Sequence, residues 1–249
     1  MDDNLNKLKT ITAQVDSPLD RALYDILIDY EKKQQENEVW KADTQSIINR
    51  MEDEYHLECE NRDDDYYVEP PVTSMDYIEA CHENQGSYYV EKSLGEELMA
   101  LHEMQIIYSF KQIEISLKKF ILLLKPEIDL KSVQRWDSLK AEFKKYGVKL
   151  GEAKSFTFIN QLREVNNALK HSAKITDGVK KMNIKEFSGL SVFTPESLAK
   201  FHSGVPAHKK VFLNSVAYAI GTNLQINPDN LYWFSMGSKY EKDMGDIPF

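Results

Sequence analysis

The sequence holds only two cysteines, Cys59 and Cys81, and no CxxC pairing, which excludes a disulfide framework and a cysteine-based zinc site. Ten glycines and eight prolines are too few for collagen-like or low-complexity material. No apolar run approaches the ~20 residues that cross a bilayer, the longest being Phe120 to Leu124. Nor does a basic stretch followed by an apolar run open the chain. The expected setting is therefore cytoplasmic, with no membrane partner. Phosphate-cradling loops of the GxxxxGK[ST] and GxGxxG kinds are missing, which removes support for nucleoside triphosphate chemistry. Phe187-Ser188-Gly189 lacks the first glycine of a GxSxG nucleophile turn. His102-Glu103 does not open an HExxH zinc motif, because Ile106 stands where the second histidine belongs. No metal ligands and no cofactor are expected.

What is present describes a folded, charge-polarised chain. Of 249 residues 42% are apolar, enough for a sizeable core. The net charge of −9 conceals an asymmetry: residues 1–100 carry 25 of the 40 carboxylates and only 9 of the 31 Lys and Arg. The rear of the chain is consequently basic, and compatible with a polyanionic ligand, while the overall charge opposes indiscriminate nucleic-acid binding.

Apolar periodicity predicts a mainly α fold. Ser17 and Pro18 can start a helix that presents Leu19, Leu23, Ile26, Leu27 and Tyr30 on one face, continued by Trp40, Ile47, Ile48 and Met51. From Glu52 to Gly86 the period collapses into carboxylates, tyrosines and Pro70-Pro71, which predicts a long acidic loop over about 52–90. The strongest helical period runs from Ser93 to Leu124. Shorter helices are expected from Val133 to Tyr146, stopped by Gly147, and from near Glu152 to His171. Ile175 to Val192 has no clear period, and Val179 to Phe193 leaves room for a short strand or two. Thr194-Pro195-Glu196 marks a further start, and a last helix from Ala207 to Ile220 would stop at Gly221. The expected organisation is a helical N-terminal region over 1–95 with its acidic loop, a helical bundle over 96–225, and a tail over 226–249 packed on the body.

One stretch concentrates groups that can handle a phosphodiester. At 100° per residue, Phe158, Leu162, Val165 and Leu169 form a core stripe. Asn160, Arg163, Asn167, Lys170 and His171 fall on a neighbouring polar stripe, with Arg163, Asn167 and His171 at i, i+4 and i+8. A cation, an amide and an imidazole in a row suit a phosphate. The alternative is that Lys170 and His171 only complement the negative end of the helix dipole while Arg163 is a surface residue.

The segment from Tyr108 to Phe120, an intervening helix, and the segment Leu162-Arg-Glu-Val-Asn-Asn-Ala-Leu-Lys-His-Ser172 together resemble the HEPN (higher eukaryotes and prokaryotes nucleotide-binding) superfamily over roughly residues 98–220. The resemblance implies a helical bundle of HEPN type, a homodimer, and metal-independent endoribonuclease activity of toxin or antiviral-defence kind with RNA as substrate. His171, Arg163 and Asn167 would then be catalytic, with Lys170, Asn166 and Asn160 binding substrate. The sequence departs from the family pattern at one point. The family's arginine precedes its histidine by four to six intervening residues and is commonly followed by asparagine, but Asn166 stands before Asn167 and the nearest arginine is Arg163. From Arg163 to His171 the helical rise is ~12 Å, so pairing of two copies is the expected way to bring arginine and histidine together. A catalytically inactive HEPN-fold module that binds a protein or nucleotide partner is the alternative. Glu52 to Glu69, with nine carboxylates against Arg62 alone, would mimic RNA phosphates over the cationic stripe until a regulatory protein partner or ligand displaced it, or would be a solvated loop.

Overall fold

The computed structural model describes residues 2–13, 18–61, 67–172 and 174–235. Among them are eight α-helices and no strand: α1 Asp2–Ala13, α2 Pro18–Glu60, α3 Met75–Leu124, α4 Trp136–Lys145, α5 Phe156–His171, α6 Asp177–Lys181, α7 Pro195–Asn223 and α8 Pro228–Ser235. The fold is mainly α, as the periodicity predicts. The chain divides into two compact units, one of residues 22–101 and one of residues 1–21 with 102–249. The first helix thus belongs with the basic C-terminal part, not with the helical region that follows it.

The 22–101 unit is an antiparallel hairpin of α2 against the first half of α3, and the described part of its connection holds a 3-10 turn at Pro71–Thr73. The long acidic loop expected over 52–90 is not there: α2 continues to Glu60 and α3 begins at Met75. Residues 52–60 contain neither Gly nor Pro, and a helix tolerates carboxylates on its solvated side. Cross-helix partners supply what local period does not. The Tyr77 hydroxyl donates to Glu52 (2.7 Å), Asn84 to Gln45 (2.8 Å), and buried Asn37 to the Ser87 carbonyl (3.1 Å). Gly86, the end of the stretch in which the period collapses, sits inside α3 where a Cβ would lie 3.1 Å from the Trp40 ring. Its missing side chain makes room for the indole. Asp63, Asp64 and Asp65 lie outside the described residues, as do Ser17 and residues 236–249.

The other unit packs α3 from His102 onward with α1 and α4 to α8. Ile106, Ile113, Leu117 and Phe120 of α3, Phe143 of α4, Ile159, Leu162 and Val165 of α5, and Phe201, Phe212 and Ile220 of α7 form its core. A run of rings ties four helices together: Phe110 to Trp136 at 5.7 Å, Trp136 to Phe156 at 6.5 Å, and Phe156 to Phe212 at 6.4 Å. Each such pair adds about 0.5–1.5 kcal/mol beyond area burial. α4 ends as its sequence predicts, with Gly147 at φ 73° and Val148 donating to the Phe143 carbonyl (3.1 Å).

α7 departs from expectation in two ways. The two predicted elements are one helix from Pro195 to Asn223, through Pro206 and Gly221. It starts on a capping box, Ser197 N–H donating to Thr194 Oγ1 (3.2 Å) and Thr194 N–H to Ser197 Oγ (3.0 Å). Proline costs the helix one internal hydrogen bond, but Phe201, Val205, Phe212 and Val216 keep one face buried across it, and that continuous burial holds the two halves as one rod. Gly221 is not a stop. It is buried, and an added Cβ would collide with the Leu231 side chain of α8. Between α5 and α7, where Val179 to Phe193 leaves room for a short strand or two, the described residues form α6, a 3-10 turn at Lys185–Phe187 and one isolated antiparallel bridge, Lys174 to Val192.

Candidate functional site

The core stripe of α5 is realised by Ile159, Leu162, Val165 and Leu169, all buried, while Phe158 is half-buried and stacks between Phe201 (5.2 Å) and His208 (4.0 Å). Because this face is fixed, the helical repeat directs Arg163, Asn167 and His171 to the opposite side. His171 is the last residue of α5 and is exposed, as is Lys170. Arg163 and Asn167 are half-buried. Arg163, Asn167 and His171 therefore run along one side of α5, from its half-buried middle to its exposed C-terminal end, where Lys170 is exposed as well.

Two of the expected substrate contacts are engaged elsewhere. Asn166 lies one helical step towards the core and is 1% exposed, with Nδ2 donating only to Asn167 Oδ1 (3.4 Å) and Oδ1 unpartnered among the described residues. It cannot touch a substrate in this conformation. That polar atom carries the cost of burial without a hydrogen bond, about 1–3 kcal/mol. Asn160 accepts from Arg163 Nε (3.2 Å) and approaches the Met182 sulfur through Nδ2 (3.8 Å).

The electrostatics around Arg163 are set by its neighbours. Its guanidinium donates to the Glu164 carboxylate through Nη2, and the two side chains are 24% and 21% exposed. The segment after α5 packs against this part of the helix: Gln161 donates to the Met182 carbonyl (3.2 Å), and Gly178 passes so close that a Cβ would lie 3.1 Å from Glu164 Oε2. That segment adds the exposed lysines 174, 180, 181 and 185. Beside it lies a cavity of about 480 Å³ with an apolar floor of Val179, Ile184 and Phe187 and a rim of Lys180 and Lys185.

Residues outside the sequence expectation carry the part-buried polar contacts of α7. His208 Nδ1 meets Ser155 Oγ at 3.1 Å, His202 Nε2 meets Ser109 Oγ at 3.3 Å, and Lys209, 3% exposed, donates to Gln112 at 2.6 Å. Ser155 precedes α5 with φ 59°, a left-handed backbone that non-glycine residues seldom adopt. The only sequence signal for this set is the polarity of His202, His208 and Lys209 inside an otherwise apolar helix pattern. No helix among the described residues is long and apolar enough to cross a membrane. No protein-family model, no curated protein and no solved structure matches the chain.

Proposed function

We propose that this chain is a HEPN-type, metal-independent endoribonuclease of toxin or antiviral-defence kind that acts on RNA as a homodimer. The observation that carries the reading is the alignment of Arg163, Asn167 and His171 on the accessible side of α5, with His171 exposed at its end. In the reaction the 2′-oxygen attacks phosphorus and the bond to the 5′-oxygen breaks. The imidazole of His171 takes the 2′-hydroxyl proton, and the second copy's His171 gives a proton to the departing 5′-oxygen. Arg163 and Lys170 offset the charge gathering on the phosphoryl oxygens, and Asn167 orients the phosphate or the imidazole. The products are a 2′,3′-cyclic phosphate and a 5′-hydroxyl.

One copy supplies too few cations to bind and polarise a phosphodiester, and a two-fold pairing doubles them. An apolar stripe on α3 supports such a pairing: Met104, Tyr108 and Ile115 recur at helical spacing and are all exposed. The second reading, a catalytically silent module that binds a protein or nucleotide, is favoured by the capture of Arg163 by Glu164 and Asn160. Purified protein incubated with bulk RNA in EDTA separates them. Cleavage that survives the chelator and disappears with His171→Ala supports the nuclease; a folded dimer that leaves RNA intact supports the silent module.

A further inference from the structure

A second, unassigned site lies where α1, α7 and α8 meet. Leu231 and Phe234, 1% and 5% exposed, anchor α8 on the rest of the unit, Leu231 in the space left by Gly221. Residues three apart on a helix share a face, so this anchoring turns Tyr232 and Trp233 outward, and Trp233 is 69% exposed. Its indole borders a cleft of about 400 Å³ lined also by Lys9, Thr12, Lys210, Asn214 and Phe234. That volume falls in the ~300–1,000 Å³ range of small-ligand sites.

The lining has a definite chemistry. Among the described residues no carboxylate borders the cleft, Lys9 and Lys210 take part in no ion pair, and the Asn214 amide takes part in no hydrogen bond. The cleft thus offers a flat π surface, two ammonium groups and an amide, fixed by a buried anchor. A π face beside cations and an amide complements a nucleotide: the base stacks, the phosphates meet the lysines, and the amide meets a base edge or sugar hydroxyl. A lipid surface would instead call for a broad apolar face, which Thr12, Asn214 and the two lysines interrupt.

We propose that this cleft binds single-stranded nucleic acid, with a base stacked on Trp233 and flanking phosphates held by Lys9 and Lys210. The site is separate from α5's polar side and needs no cleavage chemistry, although it gives the proposed nuclease a place to hold the strand it cuts. The test uses the full chain with end-labelled oligothymidylate of about a dozen nucleotides, within the ~4–16 nucleotide range of single-strand sites. Lacking a 2′-hydroxyl, this probe stays intact whether or not the protein cuts RNA. Anisotropy should show binding that Trp233→Ala weakens about 5- to 150-fold, with partial recovery in Trp233→Phe. In Lys9→Gln/Lys210→Gln the slope of log affinity against log salt should fall by about 1.4, the value for two single-strand phosphate contacts. Oligouridylate, bound by the His171→Ala chain, reports whether the cleft also accepts RNA and supports the proposal if its affinity shows the same Trp233 dependence. Equal affinity for wild type and a folded Trp233→Ala, or Trp233 fluorescence that responds to phosphatidylserine vesicles and not to the oligonucleotides, overturns it. Oligothymidylate binding lost with Trp233→Ala, together with no RNA cleavage in EDTA, would leave this site standing and remove the nuclease reading.

Discussion

Arg163 and Glu164 are sequence neighbours on α5 whose side chains form a half-buried ion pair. Successive residues on a helix normally diverge by 100°, so the pairing reflects the surroundings: Asn160 holds the guanidinium from one side and Gly178 lets the carboxylate lie flat against α6. The pair decides how much of the arginine's charge is available to a phosphate.

Replacing Glu164 by Gln should release that charge. Exposed or half-exposed ion pairs contribute about 0–1 kcal/mol, so affinity for single-stranded RNA should rise by up to about five-fold. Filter binding at low salt checks this, and an unchanged or weaker affinity would mean that Arg163 does not face the ligand.

A Cβ added at Gly221 of α7 would collide with the Leu231 side chain of α8. Gly221→Ala should destabilise the protein by about 1–3 kcal/mol through overpacking. Leu231→Ala, which makes a cavity alone, should recover part of that loss in the double variant. Urea midpoints for the wild type and the three variants measure the coupling. Strictly additive losses would contradict the contact.

The Glu196 carboxyl, at the start of α7, is held below its usual 4.5 by hydrogen bonds from its own backbone N–H and the Thr194 hydroxyl. A lowered native value means stability that is present above 4.5 and is lost as the pH falls through the native value. Wild type should therefore exceed Glu196→Gln by about 0.3–1 kcal/mol at pH 7, the range for an acidic group at a helix start. The gap should begin to close as the pH falls below 4.5 and vanish below the lowered native value. A gap that persists at low pH would assign the effect to packing.

The long helices were legible where apolar residues keep their period, as from Leu98 to Leu124, and illegible where tertiary partners make the helix. Residues 52–60 and 75–90 look like loop because carboxylates and tyrosines hide the period, yet Glu52, Gln45 and Asn37 find partners at Tyr77, Asn84 and Ser87. Gly86 and Gly221 carry the usual signal of a stop, but each marks a close approach, to Trp40 and to Leu231. In the candidate site the shared side of Arg163, Asn167 and His171 followed from spacing alone. The burial of Asn166 did not, since Asn166 and Asn167 are chemically identical and only a 100° step separates core from surface. The Arg163–Glu164 pair was equally hidden, because it depends on where Gly178 lies.

The most direct test of the proposed chemistry is the product formed from an oligodeoxynucleotide carrying a single ribonucleotide, incubated in EDTA with the full chain. In-line attack by a 2′-oxygen predicts one cut, on the 3′ side of that ribonucleotide, leaving a 2′,3′-cyclic phosphate and a 5′-hydroxyl, with no product from His171→Ala or from the 2′-O-methyl substrate. Cleavage of the 2′-O-methyl substrate, a 5′-phosphate product, or undiminished cleavage by His171→Ala would contradict it.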